Sequence, residues 1–275
     1  MKHVVGTVTI GQTPRTDVIP ELSAILGDVT VREAGALDGL SRAEIAGLAP
    51  QRGDYVLVTR LADGSSVQVA ERHITPRVAA KIKEHFDAGV PLVLLLCTGE
   101  FPEFPEGGLL VRPQRVLFHV VRAVAEGKRL GILTPSADQV PQSEVRWRQL
   151  GGAVKSVPAS PYVDAEAAVE RASRELGEWG AELLILDCIG YSESMRREAG
   201  AIAGAPAVSG RRMAARVVSS ALTSSLIRSP WSAVAFSTWT HPSPNACPSD
   251  SLLIWLSDQL RAALNFSRTS RMVSQ

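Results

Sequence analysis

Three cysteines in 275 residues are too few for a disulfide framework. No CxxC pair and no HxxxH pair is present, so the spacing of a structural zinc site is missing. Charge is nearly balanced, with 29 Lys and Arg against 28 Asp and Glu. A net charge of +1, with dispersed arginines, gives no field that would draw nucleic acid or an acidic membrane surface. No apolar run reaches the roughly eighteen residues of a membrane span. The opening Met1-Lys2-His3-Val4-Val5-Gly6 runs straight into a strand pattern and lacks the apolar region of a signal peptide. A reducing cytoplasm, where free thiols persist, is the expected compartment. The glycine-rich turns match neither GxGxxG nor the P-loop, so nucleotide binding has little support.

What the chain does have is alternation of strand and helix signals. Val4–Ile10 is apolar and β-branched and stops at Gly11-Gln12-Thr13-Pro14, and Asp17–Leu26 follows with helical spacing. Ser41-Arg42-Ala43-Glu44 is a capping box, the start of a short helix. Tyr55–Arg60 and Ser66–Ala70 read as a β-hairpin turning at Asp63-Gly64. Helices are predicted over Thr75–Asp87, Val116–Ala125, Gln142–Leu150, Ala165–Trp179 and Arg212–Leu222. The continuous apolar runs Leu92–Leu96, Arg129–Leu133 and Leu183–Leu186 suit parallel strands buried on both faces, and Ala205–Val208 is a shorter strand. The expected fold is α/β, two pseudo-symmetric lobes with parallel sheets.

After about Ser224 the composition changes. The last 52 residues hold twelve serines, six charged residues and three of the five tryptophans. Only Leu252–Leu264 keeps a helical pattern. This tail reads as an appendage outside the main fold, either a non-native extension such as a shifted reading frame leaves or an extra helix packed on the body. The expected organisation is a first lobe over 1–125, a second over 126–222, whose last segment packs back on the first, and the atypical tail over 223–275.

The strongest signal is an internal repeat. Gly89-Val-Pro-Leu-Val-Leu-Leu-Leu-Cys97-Thr-Gly99 matches Gly180-Ala-Glu-Leu-Leu-Ile-Leu-Asp-Cys188-Ile-Gly190 at an offset of 91 residues. Upstream, Val5-Gly6-Thr-Val-Thr9 resembles Leu130-Gly131-Ile-Leu-Thr134. The first copy is longer, and the Tyr55–Ala70 hairpin accounts for much of the excess. Ligands of open α/β sheets bind beyond the carboxyl ends of the strands, where both cysteines fall. The expected site is therefore a cleft between the lobes with Cys97 and Cys188 facing it. Amide N–H groups in the following turns are expected to favour thiolate. Each cysteine alone is more often a small core hydrophobe; the matched pair argues otherwise.

Arg15, in the turn after the first strand, is the first choice for holding a substrate carboxylate. Thr13, Thr98, Gly99, Thr134, Ser136, Gly190 and Ser209 are further candidates for ligand contact at strand ends. Asp187 is placed to orient or activate Cys188. No metal ligand set is recognised.

These residues resemble the AroM family and, more distantly, the aspartate/glutamate racemase superfamily. The match runs from His3 to Leu222 and includes Thr9-Ile10-Gly11-Gln12-Thr13-Pro14-Arg15-Thr16-Asp17, Gly39-Leu40-Ser41, Leu186-Asp187-Cys188-Ile189-Gly190 and Pro206–Ala221. The resemblance implies a racemase-like fold and two cysteines, one per lobe, as opposed acid and base without metal or organic cofactor. It implies a small carboxylate ligand, and a homodimer is common in that superfamily. The superfamily usually has Asn-Thr after the first cysteine and Thr after the second, where this chain has Thr98-Gly99 and Ile189. Three readings follow. One is an isomerase or racemase acting beside a carboxylate. Another is a binding or regulatory module without turnover. The third is a single-cysteine decarboxylase or cis–trans isomerase.

Overall fold

The computed structural model describes residues 3–104 and 107–223. The tail expected to be atypical lies outside these residues, apart from the last residue of the final helix. The described residues lie in one compact unit, Met1–Arg228.

Two four-stranded parallel sheets form the frame. The first contains β1 (His3–Thr9), β2 (Val29–Gly35), β5 (Leu92–Leu96) and β6 (Leu109–Val111), in the order β2-β1-β5-β6. The second contains β7 (Leu130–Thr134), β8 (Val154–Pro158), β9 (Leu183–Leu186) and β10 (Ala207–Ser209), in the order β10-β9-β7-β8. The second sheet repeats the first, with β8-β7-β9-β10 standing for β2-β1-β5-β6. The register repeats as well: Gly6 pairs with Val93, and Gly131 pairs with Leu184. The strands at the centre are apolar throughout because both faces are covered. All five residues of β5 and of β7 are buried.

The helices are α1 (Ile19–Leu26), α2 (Arg42–Ala46), α3 (Glu71–Asp87), α4 (Pro113–Ala125), α5 (Val140–Arg148), α6 (Ala165–Glu178), α7 (Glu193–Ala203) and α8 (Gly210–Thr223). A 3₁₀ turn at Ala137–Gln139 precedes α5. The capping box of α2 is made as the sequence predicts, with Ser41 and Glu44 each bonding the other's backbone. Helix α3 starts earlier than the predicted Thr75, with Pro76 inside it. Tertiary bonds fix that earlier start: Glu71 N–H donates to Tyr55 C=O at 2.9 Å, and Arg72 pairs with Asp54 at 2.8 Å. The hairpin consists of β3 (Val56–Arg60) and β4 (Ser66–Ala70), antiparallel. Together with α2 it lengthens the first copy, since the second sheet passes from β8 directly to α6 and β9.

Four apolar clusters fill the two faces of each sheet. Helix α3 covers one face of the first sheet with Ile74, Val78 and Ile82. The other face meets α1 through Leu22 and α8 through Ala214 and Val218. In the second sheet, α6 covers one face with Val169 and Leu176. The opposite face meets Leu117 and Val121 of α4 and Trp147 of α5. The covering helices therefore cross over. Helix α4 follows the first sheet in sequence but shares a cluster with the second sheet, and α8 follows the second but shares one with the first. Each fully buried aliphatic side chain contributes about 1.5–3 kcal/mol, so this exchange ties the halves firmly.

Candidate functional site

Cys97 directly follows β5, and Cys188 lies two residues beyond β9. Both are free and buried, 8% and 6% exposed, and both line one cavity between the sheets. The glycine two residues after each cysteine has a physical cause. A Cβ at Gly99 would come within 2.5 Å of Leu57 Cδ2, and one at Gly190 within 2.5 Å of the Tyr162 hydroxyl. Glycine lets both side chains close over the thiols. The same two residues donate backbone N–H to sulfur, Gly99 to Cys97 at 3.2 Å and Gly190 to Cys188 at 3.4 Å.

The amides are thus where the sequence predicts, but the expectation of thiolate is overturned. Burial pushes the Cys97 thiol up to about 12 and raises Cys188 as well. The lowering contacts are smaller: Gly99 N–H and Arg146 at Cys97, and Gly190 N–H, Tyr162 and Arg15 at Cys188. A charged sulfur loses more hydration in this closed cavity than one amide and a paired cation return. Charge on Cys188 adds to the rise at Cys97.

Arg15 lines the cavity, but its fork is already engaged. Nε and Nη2 donate to Asp17 at 2.9 and 2.8 Å, and Nη1 donates to Thr9 Oγ1 at 2.8 Å. Its Nη2 also reaches the Tyr162 hydroxyl at 3.4 Å, and that hydroxyl is 3.6 Å from Cys188 Sγ. The bidentate carboxylate contact expected for Arg15 is made to Asp17 within the chain. Asp187 lines the cavity too. It forms a buried ion pair with Arg146 Nη2 and accepts from Trp147 Nε1 at 3.0 Å. Arg146 also donates to Thr98 C=O at 3.1 Å and to the Tyr55 hydroxyl at 3.3 Å.

Thr98 and Gly99 line the thiol cavity and an adjoining chamber, while Thr134 lines only the chamber. Gly190 reaches the site only with its N–H, which donates to Cys188 Sγ. Thr13 stands apart, bonded to Asp38 through N–H at 2.8 Å and hydroxyl at 2.9 Å. Ser136 caps the 3₁₀ turn by accepting from Asp138 N–H at 3.1 Å. Ser209 is buried against a different groove, beside α4 and α8. Sequence reasoning missed Tyr162, Arg146 and Gln139, none of which sits in a repeat or motif. It also missed Leu57 and Thr59 as lining residues; their signal was the hairpin inserted into only one copy.

Among the described residues no group of three or more His, Cys, Asp or Glu side chains could hold a metal ion. None of their helices is long and apolar enough to cross a membrane.

Two sheets of the same strand order, with a thiol from each lining one cavity, make up a racemase-like α/β fold. Glutamate racemase from Francisella tularensis subsp. tularensis SCHU S4, solved with D-glutamate, is similar to it at 13% identity and a TM-score of 0.53, covering 80% of this chain and 81% of that one. Unliganded arylmalonate decarboxylase is similar at 13% identity and a TM-score of 0.51, covering 82% and 94%. At these identities the likeness is one of fold. No curated protein matches the sequence. Residues 5–222 match the family model described as AroM protein, and the chain belongs to the AroM family.

Proposed function

We propose that this protein is a cofactor-independent isomerase or racemase acting beside the carboxylate of a small acid. Cys97 and Cys188 would be its two proton-transfer groups. The observation that carries this reading is the presence of both thiols, from equivalent strand ends, in one cavity. One sulfur, as thiolate, takes the proton from the carbon beside the carboxylate, and the C–H electron pair enters an enolate-like anion. The other sulfur, as thiol, returns a proton to the opposite face and is left as thiolate. Net charge is conserved, and neither electrons nor a co-reactant is consumed.

Two features support the chemistry. The N–H groups of Gly99 and Gly190 point at the sulfurs and stabilise whichever one carries charge. Burial raises both thiols, so a thiolate enclosed between these walls is a stronger base than one in water. The single-cysteine reading has one observation in its favour: the Tyr162 hydroxyl lies 3.6 Å from Cys188 Sγ.

The test is solvent exchange. Small amino acids, hydroxy acids and dicarboxylates are incubated in D2O with the protein and with Cys97→Ser and Cys188→Ser. Exchange abolished in both variants supports two-base transfer. Loss in one variant supports single-cysteine chemistry. No exchange across the panel overturns the enzyme reading in favour of a binding module.

A further inference from the structure

The thiol cavity is about 20 Å³, room for one water and not for an acid. A ligand enters only if the walls part. On one side the contact between the halves is apolar. Ile189, from the second cysteine turn, packs in the same cluster as Leu22, Leu94 and Ala214. Arg211 reinforces it by donating to Ile189 C=O and Gly190 C=O at 2.8 Å each, and to Glu21 at 2.9 Å.

The opposite side is a polar clasp on the inserted hairpin. Gln142 holds both polar groups of the Val56 backbone, accepting from N–H at 2.9 Å and donating to C=O at 2.9 Å. Gln139 Nε2 donates to the same C=O at 3.0 Å, and Gln68 Nε2 donates to Ser136 Oγ at 3.1 Å. Water replaces such bonds at small net cost, whereas parting the apolar side exposes hydrocarbon. The clasp is therefore the side that costs less to part; Arg146, beside it, keeps its ion pair to Asp187 and gives up its bonds to the Tyr55 hydroxyl and Thr98 C=O.

Gln139 does more than hold the hairpin. Its Nε2 is fixed on Val56, which turns Oε1 the other way, and Oε1 is buried without a partner. Asp187 Oδ1 is buried without a partner as well, and both residues line the thiol cavity and the adjoining chamber. Both atoms only accept. Buried polar atoms are rarely left unpaired, so a donor belongs between them: a water in the closed cavity, or a group of the ligand that takes its place. The Thr59 hydroxyl is a third buried group without a partner in the same lining.

We propose that Gln139 and Gln142 clasp the hairpin shut over the ligand, and that Gln139 Oε1 and Asp187 Oδ1 receive a hydroxyl or ammonium group carried by that ligand. This rests on reading the cavity as a small-acid site. It narrows the class to acids with a donor on or near the reacting carbon. Ligand recognition and closure then share one side chain, since the amide that takes the ligand's donor also holds Val56.

The experiment is alkylation of Cys97 and Cys188 by iodoacetamide, resolved for each cysteine by mass spectrometry. Gln142→Ala removes both bonds to Val56 and is expected to speed alkylation about tenfold or more. The rate should stay nearly flat over low urea concentrations, as local opening requires; a steep urea dependence marks global unfolding instead. An unchanged rate, or a gain that follows urea steeply, overturns the clasp. The second arm compares protection by lactate and alanine with protection by propionate, which lacks the donor. Lactate or alanine is expected to protect at lower concentration, and Gln139→Leu to erase the difference. Equal protection by all three overturns the donor assignment while leaving the small-acid site standing. Protection by none overturns both.

Discussion

Replacing Arg146 with methionine tests the most deeply buried charge pair of the site. The Arg146 and Asp187 side chains are 5% and 3% exposed, so neither charge is met by water. Methionine keeps much of the volume and removes the cation. Asp187 would then retain one bond of known geometry, from Trp147 Nε1 at 3.0 Å. Leaving one partner of a buried pair uncompensated costs about 3–5 kcal/mol. Against a typical total of about 5–15 kcal/mol, that is a large part of the stability. At a urea slope of about 2–3 kcal/mol/M the midpoint should fall by about 1–2.5 M. Replacing both partners, Arg146→Met with Asp187→Leu, removes the orphaned charge and should recover most of the loss. Urea unfolding of wild type, both singles and the double, followed by circular dichroism and tryptophan fluorescence, gives the coupling energy. A single variant within about 1 kcal/mol of wild type would refute the argument. So would a double variant no more stable than the worse single.

The raised thiols predict a pH dependence. Alkylation of Cys97 should keep rising about tenfold per pH unit through neutrality towards its value of about 12, and a plateau near pH 9 would contradict the burial argument. The sign for stability follows from linkage. Above the ordinary value of 9.0 the unfolded thiols ionise while the folded ones stay protonated, so stability falls as pH rises from 9 towards 12. That fall should be smaller in Cys97→Ser, measured by urea midpoints across the same window. Gly190→Ala forces a Cβ to within 2.5 Å of the Tyr162 hydroxyl. It should cost about 1–3 kcal/mol of stability as overpacking and displace the ring from Cys188. An unchanged melting temperature would show that the loop carrying Tyr162 gives way freely.

The strands that deliver the thiols were legible because they are buried on both faces. An unbroken apolar run such as Leu92–Leu96 has few alternatives, and its repetition at Leu183–Leu186 marks equivalent places. Edge strands were harder. Val29–Gly35 carries Arg32 and Glu33 and alternates between exposed and half-buried positions, so its apolar signal is diluted. Strand β8 and helix α7 also went unread; β8 opens at half-buried Val154 and Lys155, and α7 buries only Ala199. Cys97 and Cys188 were found through the repeat, a property of the chain itself. Arg146 and Tyr162 reach the site from a helix and a loop far along the sequence, and only tertiary packing brings them there. The direction of the thiol shift is not legible in the sequence, because local N–H groups are visible there and the extent of burial is not.

The crossed helices bear on what counts as a separable piece of this protein. A chain cut near residue 126 would yield a first fragment whose α4 has lost the sheet it covers. The second fragment would carry an α8 with no partner for Ala214 and Val218. Neither piece is a closed folding unit, however symmetric the sheets. The fragments would need each other as complementing halves, and a shuffled or duplicated lobe would inherit one bare sheet face and one homeless helix.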